Sequence, residues 1–131
     1  MKTLEFKSIN DLTMEELNDL AKATTVIGMM RIWAQDVKNG NDLKLWVIRV
    51  YESHQLIAWA SLTDEELFTI IGVYVKREYR RTGLGRDLTL QTIDFFNSDQ
   101  IPWPKPLICK PWDYKSRLFF KAVGIPKQQS S

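Results

Sequence analysis

Two glycines set among arginines, in Lys76-Arg77-Glu78-Tyr79-Arg80-Arg81-Thr82-Gly83-Leu84-Gly85-Arg86, mark the stretch best suited to chemistry. Lys76, Arg77, Arg80, Arg81 and Arg86 are opposed there only by Glu78. The formal charge of the whole chain is only +2, so this is a local concentration of cations rather than a generally basic surface. Glycine permits positive φ and close approach of a ligand to the backbone. Where such a turn opens a helix, the first N–H groups lack partners inside the helix and carry about half a positive charge, which suits a phosphate or other anion. Arginines beside them add charge-assisted bonds.

The flanking residues supply the elements needed to hold that turn. Leu67–Val75 is rich in β-branched and aromatic residues and reads as a strand. Leu84–Asn97, with Leu88, Leu90, Ile93, Phe95 and Phe96, reads as a helix. Upstream, Leu4–Ile9 alternates as a half-buried strand. Thr13-Met14-Glu15-Glu16 is a capping-box pattern opening a helix with Leu17, Leu20 and Ala21 on one face. A second helix is expected over Val26–Val37, stopped by the turn-rich Lys38–Asp42. Leu45–Glu52 and Leu56–Leu62 form a hairpin about Ser53-His54-Gln55, and Thr63–Glu66 turns the chain into the next strand. After the glycine loop and its helix, Ile101–Pro106 is too proline-rich for helix or central strand. It leads to a short strand, Leu107–Cys109, and a last helix over Asp113–Val123 ending at Gly124. The order β-α-α-β-β-β-α-β-α predicts an α/β (α+β) fold: a mixed sheet with helices on both faces.

Composition narrows the function. At 131 residues, with 44% hydrophobic and 26% charged residues, a single domain spanning 1–131 is expected, with 126–131 as a frayed tail. One cysteine, Cys109, and one histidine, His54, leave no disulfide framework and little from which to build a metal site. Cys109 reads as a small buried apolar residue, and His54 is assigned no role. No apolar run approaches the ~20 residues of a spanning helix, and Met1–Phe6 lacks a secretory apolar stretch. A cytoplasmic protein without membrane or nucleic-acid partners is the expectation.

Three phosphate-loop patterns compete for the basic turn. A P-loop needs Lys-Ser/Thr after its last glycine, where Arg86-Asp87 stands; a dinucleotide fingerprint needs a third glycine, where Leu88 stands. Arg80, Gly83 and Gly85 instead satisfy Arg/Gln-x-x-Gly-x-Gly/Ala after a long strand. In this the chain resembles the GCN5-related N-acetyltransferase (GNAT) family. Asp113-x-x-Ser116-x-x-x-Phe120-x-x-x-Gly124-Ile125 has the spacing of a second family pattern, Asn-x-x-Ala-x-x-x-Tyr-x-x-x-Gly-Phe, and the likeness covers roughly residues 3 to 125.

The resemblance implies the GNAT fold, here with its C-terminal strands shortened or missing, and acetyl-CoA as co-substrate. Its pyrophosphate would lie on Arg80, Arg81, Thr82, Gly83, Leu84, Gly85 and Arg86. Its pantetheine would pair with the backbone of Val73 and Val75, with Phe120 beside it. An amine, on a protein or a small molecule, would attack the thioester directly. The family's usual proton donor is a tyrosine, and its position is held by Phe120. Tyr74, Tyr114 and Ser116 are therefore the candidates for helping the thiolate leave, unless the protein binds CoA or a partner without transferring anything. Where some members carry a base, this chain has Thr69. Glu66, with Glu65, is the nearby alternative acting through water, against its reading as a solvated turn. Trp103 and Trp112 flank the fifth strand and could line the acceptor cleft. An open sheet edge would leave room for a homodimer.

Overall fold

The computed structural model describes residues 2–23, 29–64, 67–98, 106–109, 120–122 and 124. In chain order the elements are β1 (Lys2–Ser8), α1 (Met14–Ala23), α2 (Met29–Lys38), β2 (Leu45–Glu52), β3 (Gln55–Asp64), β4 (Thr69–Val75), α3 (Leu84–Asn97) and β5 (Leu107–Cys109). Residues 120–122 are helical, and Gly124 follows with φ 84°, its N–H donating to the Lys121 carbonyl at 3.1 Å. The rest of the expected last helix, with Tyr114 and Ser116, lies outside the described residues, as do Glu65, Glu66, Trp103, Trp112 and the tail.

The strands lie side by side in chain order, β1-β2-β3-β4-β5. The first three pairings are antiparallel, and β4 pairs with β5 in parallel across the α3 crossover. Side chains alternate across this mixed sheet and build a core on each face. On one face Ile48, Val50, Ala60, Leu62 and Ile71 pack with Leu84, Leu88 and Phe95 of α3 and with Phe120. On the other, Leu45, Val47, Leu56 and Trp59 pack with Leu17 and Leu20 of α1 and Ala34 of α2. Leu17 and Leu20 are buried, and each such burial is worth roughly 1.5–3 kcal/mol, so α1 is held by its apolar stripe rather than by propensity.

Local signals account for the element ends. Thr13 and Glu16 form the anticipated capping box: the Thr13 N–H donates to Glu16 Oε1 at 2.9 Å, and the Glu16 N–H to Thr13 Oγ1 at 3.1 Å. The β2–β3 turn is tighter than expected. Glu52 pairs with Gln55, leaving Ser53 (φ 51°) and His54 (φ 65°) as a two-residue connection of the mirror-image type that suits strand twist. Strand β3 runs on to Asp64, whereas β4 begins only at Thr69, with Leu67 and Phe68 outside it. Ile9 has left the strand for a 3-10 turn, Ile9–Asp11, capped by the Ser8 hydroxyl.

Candidate functional site

Among the described residues, β5 meets the start of β4 at Thr69, Ile70 and Ile71, whereas β3 follows it to Val75. Backbone groups of successive strand residues point to opposite edges. The Thr69 N–H donates to the Pro106 carbonyl on the β5 side at 2.9 Å, and the Lys76 N–H to the Ile57 carbonyl on the β3 side at 2.8 Å. By that alternation Val73 and Val75 turn their N–H and C=O groups toward the β5 side, beyond the last described pair of β4 and β5. These are the two residues whose backbone the sequence assigned to a bound chain.

The basic turn follows directly. Residues Arg77–Tyr79 form a 3-10 turn, Arg81 takes φ 64°, and Gly83, the N-cap of α3, takes φ 85°. The first backbone bond into α3 is from the Asp87 N–H to the Gly83 carbonyl, 3.0 Å. Among the described residues, the N–H groups of Arg81 through Arg86 find no hydrogen-bond acceptor, and Gly83 supplies no side-chain cap. Arg80, Arg81 and Arg86 are exposed and make no ion pair among the described residues. A row of donors at a helix start, with arginines around it, is suited to cradle an anion. The Thr82 hydroxyl donates to the Tyr79 carbonyl at 2.7 Å, so that side chain braces the turn. Interaction with the Glu52 carboxylate, with the charge of Glu78 added, raises the Tyr79 pKa above its ordinary value. Leu84 anchors the loop by burying its side chain in the α3 core.

The structure separates two residues that the sequence grouped together. Phe120 is buried on the α3 face with Val73 and Val75 packed nearby. Tyr74 lies on the opposite face, stacked on Trp59 (centroids 5.8 Å apart, 22° between planes). It lines a cavity of about 680 Å³ between α1, the Ser53-His54 turn and Lys76–Glu78. A second cavity of about 550 Å³ shares Asp19, Ser53 and His54 with it and reaches Glu5, Glu15 and Glu16.

A buried ion cluster on this face was missed from sequence. Arg49 of β2 is fully buried; it donates from Nη2 to Glu5 Oε2 at 2.7 Å and from Nη1 to Glu16 Oε2 at 2.5 Å and the Tyr51 hydroxyl at 3.0 Å. Strand alternation after Leu45 and Val47 already pointed Arg49 inward, and that was the available signal. The register then places Glu5, Arg49, Trp59 and Tyr74 opposite one another in one row across four strands. Burial works to raise the Glu16 pKa, but the Thr13 N–H, the bond and charge of Arg49 and the charge of Lys7 outweigh it, leaving the pKa below 4.5.

The sequence profile of the acetyltransferase (GNAT) family matches residues 9–124. The chain belongs to that family. Solved structures agree on its fold. An acyl-CoA N-acyltransferase from Pseudomonas aeruginosa superposes with a TM-score of 0.71 at 20% identity, over 95% of this chain and 86% of the other. The ribosomal-protein-S18-alanine N-acetyltransferase from Escherichia coli gives 0.66 at 14%, over 95% and 77%. A predicted acetyltransferase from Clostridium acetobutylicum, solved with acetyl-CoA, gives 0.66 at 14%, over 100% and 94%. No curated protein matches the chain in sequence. Family members use acetyl-CoA, which gives the cradle and the β4 edge of this GNAT chain a ligand to be tested against. No described helix is long and apolar enough to cross a membrane.

Proposed function

We propose that the protein is an N-acetyltransferase that moves an acetyl group from acetyl-CoA to an amine of a protein or small molecule. The observation that carries this reading is that the β4 edge and a row of N–H donors after it both lack partners among the described residues. Val73 and Val75 direct backbone groups to the β5 side beyond the last described pair, and the Arg81–Arg86 donors follow after the Arg77–Tyr79 turn. These two arrays fit the two ends of an extended ligand with amide groups at one end and a pyrophosphate at the other. Arg81, Thr82, Gly83, Leu84, Gly85 and Arg86 would hold the pyrophosphate through backbone N–H groups, with the Arg81 and Arg86 charges beside it. Val73 and Val75 would pair with the pantetheine amides.

Acetyl-CoA supplies an activated thioester. In the direct mechanism the neutral amine nitrogen forms a bond to the thioester carbonyl carbon as the C–S bond breaks. The sulfur takes the electron pair and then a proton, and the nitrogen gives up one proton. An N–H on the β4 edge would stabilise charge on the carbonyl oxygen, and holding both reactants in line would supply much of the rate. Phe120 has no proton to give. Tyr74 lines the larger cavity beside α1, while Tyr114 and Ser116 remain the donor candidates from the expected last helix and Glu66 the base candidate. Loss of one general acid costs about 10²–10⁴-fold, which slows transfer without abolishing it.

Phe120 also favours a second reading, a module of the same fold that binds CoA or a partner without transfer. Thiol release from acetyl-CoA in the presence of a panel of amines and basic peptides separates the two. The first reading predicts acceptor-dependent thiol release and an acetylated product by mass spectrometry. Cofactor binding with no release for any acceptor would refute it in favour of the second.

A further inference from the structure

We propose that Arg80 is a positioning residue that fixes the end of β4 through its Nε–H, and that its charge is secondary. The proposal rests on the reading of this loop as an acetyl-CoA site. The Arg80 side chain folds back on the strand rather than outward: Nε donates to the Val75 carbonyl at 2.9 Å, and Cζ lies 5.8 Å from the Tyr74 ring centroid. The Val75 carbonyl is the last one on β4 to face the β5 side. Among the described residues, capping it leaves the Val73 N–H, the Val73 C=O and the Val75 N–H unpaired on that side, and so sets which groups an extended ligand would meet. The same guanidinium lies over Tyr74, whose other neighbour is Trp59 and whose side chain lines the larger cavity. One side chain thus holds the strand edge on one side and a cavity wall on the other. Counter-charge for an anion is already present in Arg81 and Arg86, which make no ion pair among the described residues.

The chemistry of the side chains makes this testable. Gln carries its amide nitrogen at the same number of bonds from the backbone as Arg Nε, without the charge. Lys keeps the charge but has a methylene at that position, and its three donors lie one atom farther out. Acetyl-CoA affinity is measured by calorimetry for wild type, Arg80→Gln, Arg80→Lys and Arg80→Ala, with circular dichroism confirming that each is folded. Affinity within about three-fold of wild type is expected for Arg80→Gln, against roughly ten-fold weakening for Arg80→Lys and Arg80→Ala, the scale of one lost hydrogen bond. The reverse order, with Arg80→Lys near wild type and Arg80→Gln as weak as Arg80→Ala, would overturn the proposal and make Arg80 a counter-charge.

A second readout needs no ligand. The carbonyl-carbon NMR shift of Val75 in the free protein should be wild-type-like in Arg80→Gln and displaced in Arg80→Lys and Arg80→Ala. A shift unchanged in all three refutes the brace. If wild type fails to bind acetyl-CoA, the enzyme reading fails, and the Val75 shift still decides the role of Arg80.

Discussion

Replacing Glu16 with Gln separates two tasks that its carboxylate performs at once. Oε1 accepts the Thr13 N–H and Oε2 accepts Arg49 Nη1. Gln retains an acceptor for the helix cap, so the ~1 kcal/mol of a capping interaction survives. The charge facing Arg49 does not. That guanidinium is fully buried, and its remaining counter-charge would be Glu5, whose side chain is 43% exposed. Hydrogen bonds to charged groups are worth about 1.5–3 kcal/mol, and stripping one partner from a buried pair costs about 3–5. With Glu5 still in place the lower range applies, so we expect a loss of about 2 kcal/mol, or roughly 7 °C in Tm for a chain of this length.

The pH dependence supplies the sharper check. Glu16 in the folded protein titrates below its ordinary 4.5. Its contribution to stability is therefore fully present above that value and is lost as pH falls through the folded pKa. Thermal unfolding followed by circular dichroism, at pH 7 and through the acid range, should show the gap between wild type and Glu16→Gln closing below pH 4.5. Equal Tm values at pH 7, or a gap that does not change with pH, would refute the idea that an ionised Glu16 stabilises the fold through Arg49.

Other substitutions test single features. At Gly72 an added Cβ would lie 2.9 Å from Ser61 Oγ. Gly72→Ala should therefore cost about 1–3 kcal/mol in denaturant unfolding, and Ser61→Ala in the same chain should recover most of it. Thr69 Oγ1 is buried and has no hydrogen-bond partner among the described residues. Thr69→Val, removing that hydroxyl at nearly constant shape, should raise stability by about 1 kcal/mol; a lower Tm would show that the hydroxyl has a partner, such as an internal water. Both residues of the β2–β3 turn have positive φ, 51° and 65°. Ser53→Asn with His54→Gly should stabilise by about 1 kcal/mol, read as a higher urea midpoint with unchanged m-value.

Much of the scaffold was legible because local signals are strong where elements carry the site. Leu45–Glu52, Leu84–Asn97 and Leu107–Cys109 have the expected bounds, since alternation, helical periodicity and the flanking glycines and prolines all act within a few residues. The short turn at Ser53-His54 was harder to place, because neither residue is the Asn or Gly that usually marks positive φ. Leu67, 70% exposed, read as strand by composition yet stands outside β4, since pairing with β3 ends at Asp64 opposite Thr69. What sequence could not supply was register. The row Glu5–Arg49–Trp59–Tyr74 depends on three strand alignments, and a slip of one residue would send Arg49 to the other face. The loop pattern Arg80–Gly83–Gly85 was visible, but not that Arg80 turns back onto Val75 or that Tyr74 and Phe120 occupy opposite faces of the sheet.

The central claim is that the Arg81–Arg86 cradle and the β4 edge bind acetyl-CoA. The most direct test is calorimetric titration of the folded protein with acetyl-CoA, beside Gly83→Val. Gly83 has φ 85°, where a β-branched residue is strained by at least about 1–2 kcal/mol, so the substitution should distort the cradle. The account predicts saturable one-site binding to wild type and its loss in Gly83→Val, with both proteins folded by circular dichroism. Folded wild-type protein that takes up no acetyl-CoA, or binding that Gly83→Val leaves unchanged, would contradict it.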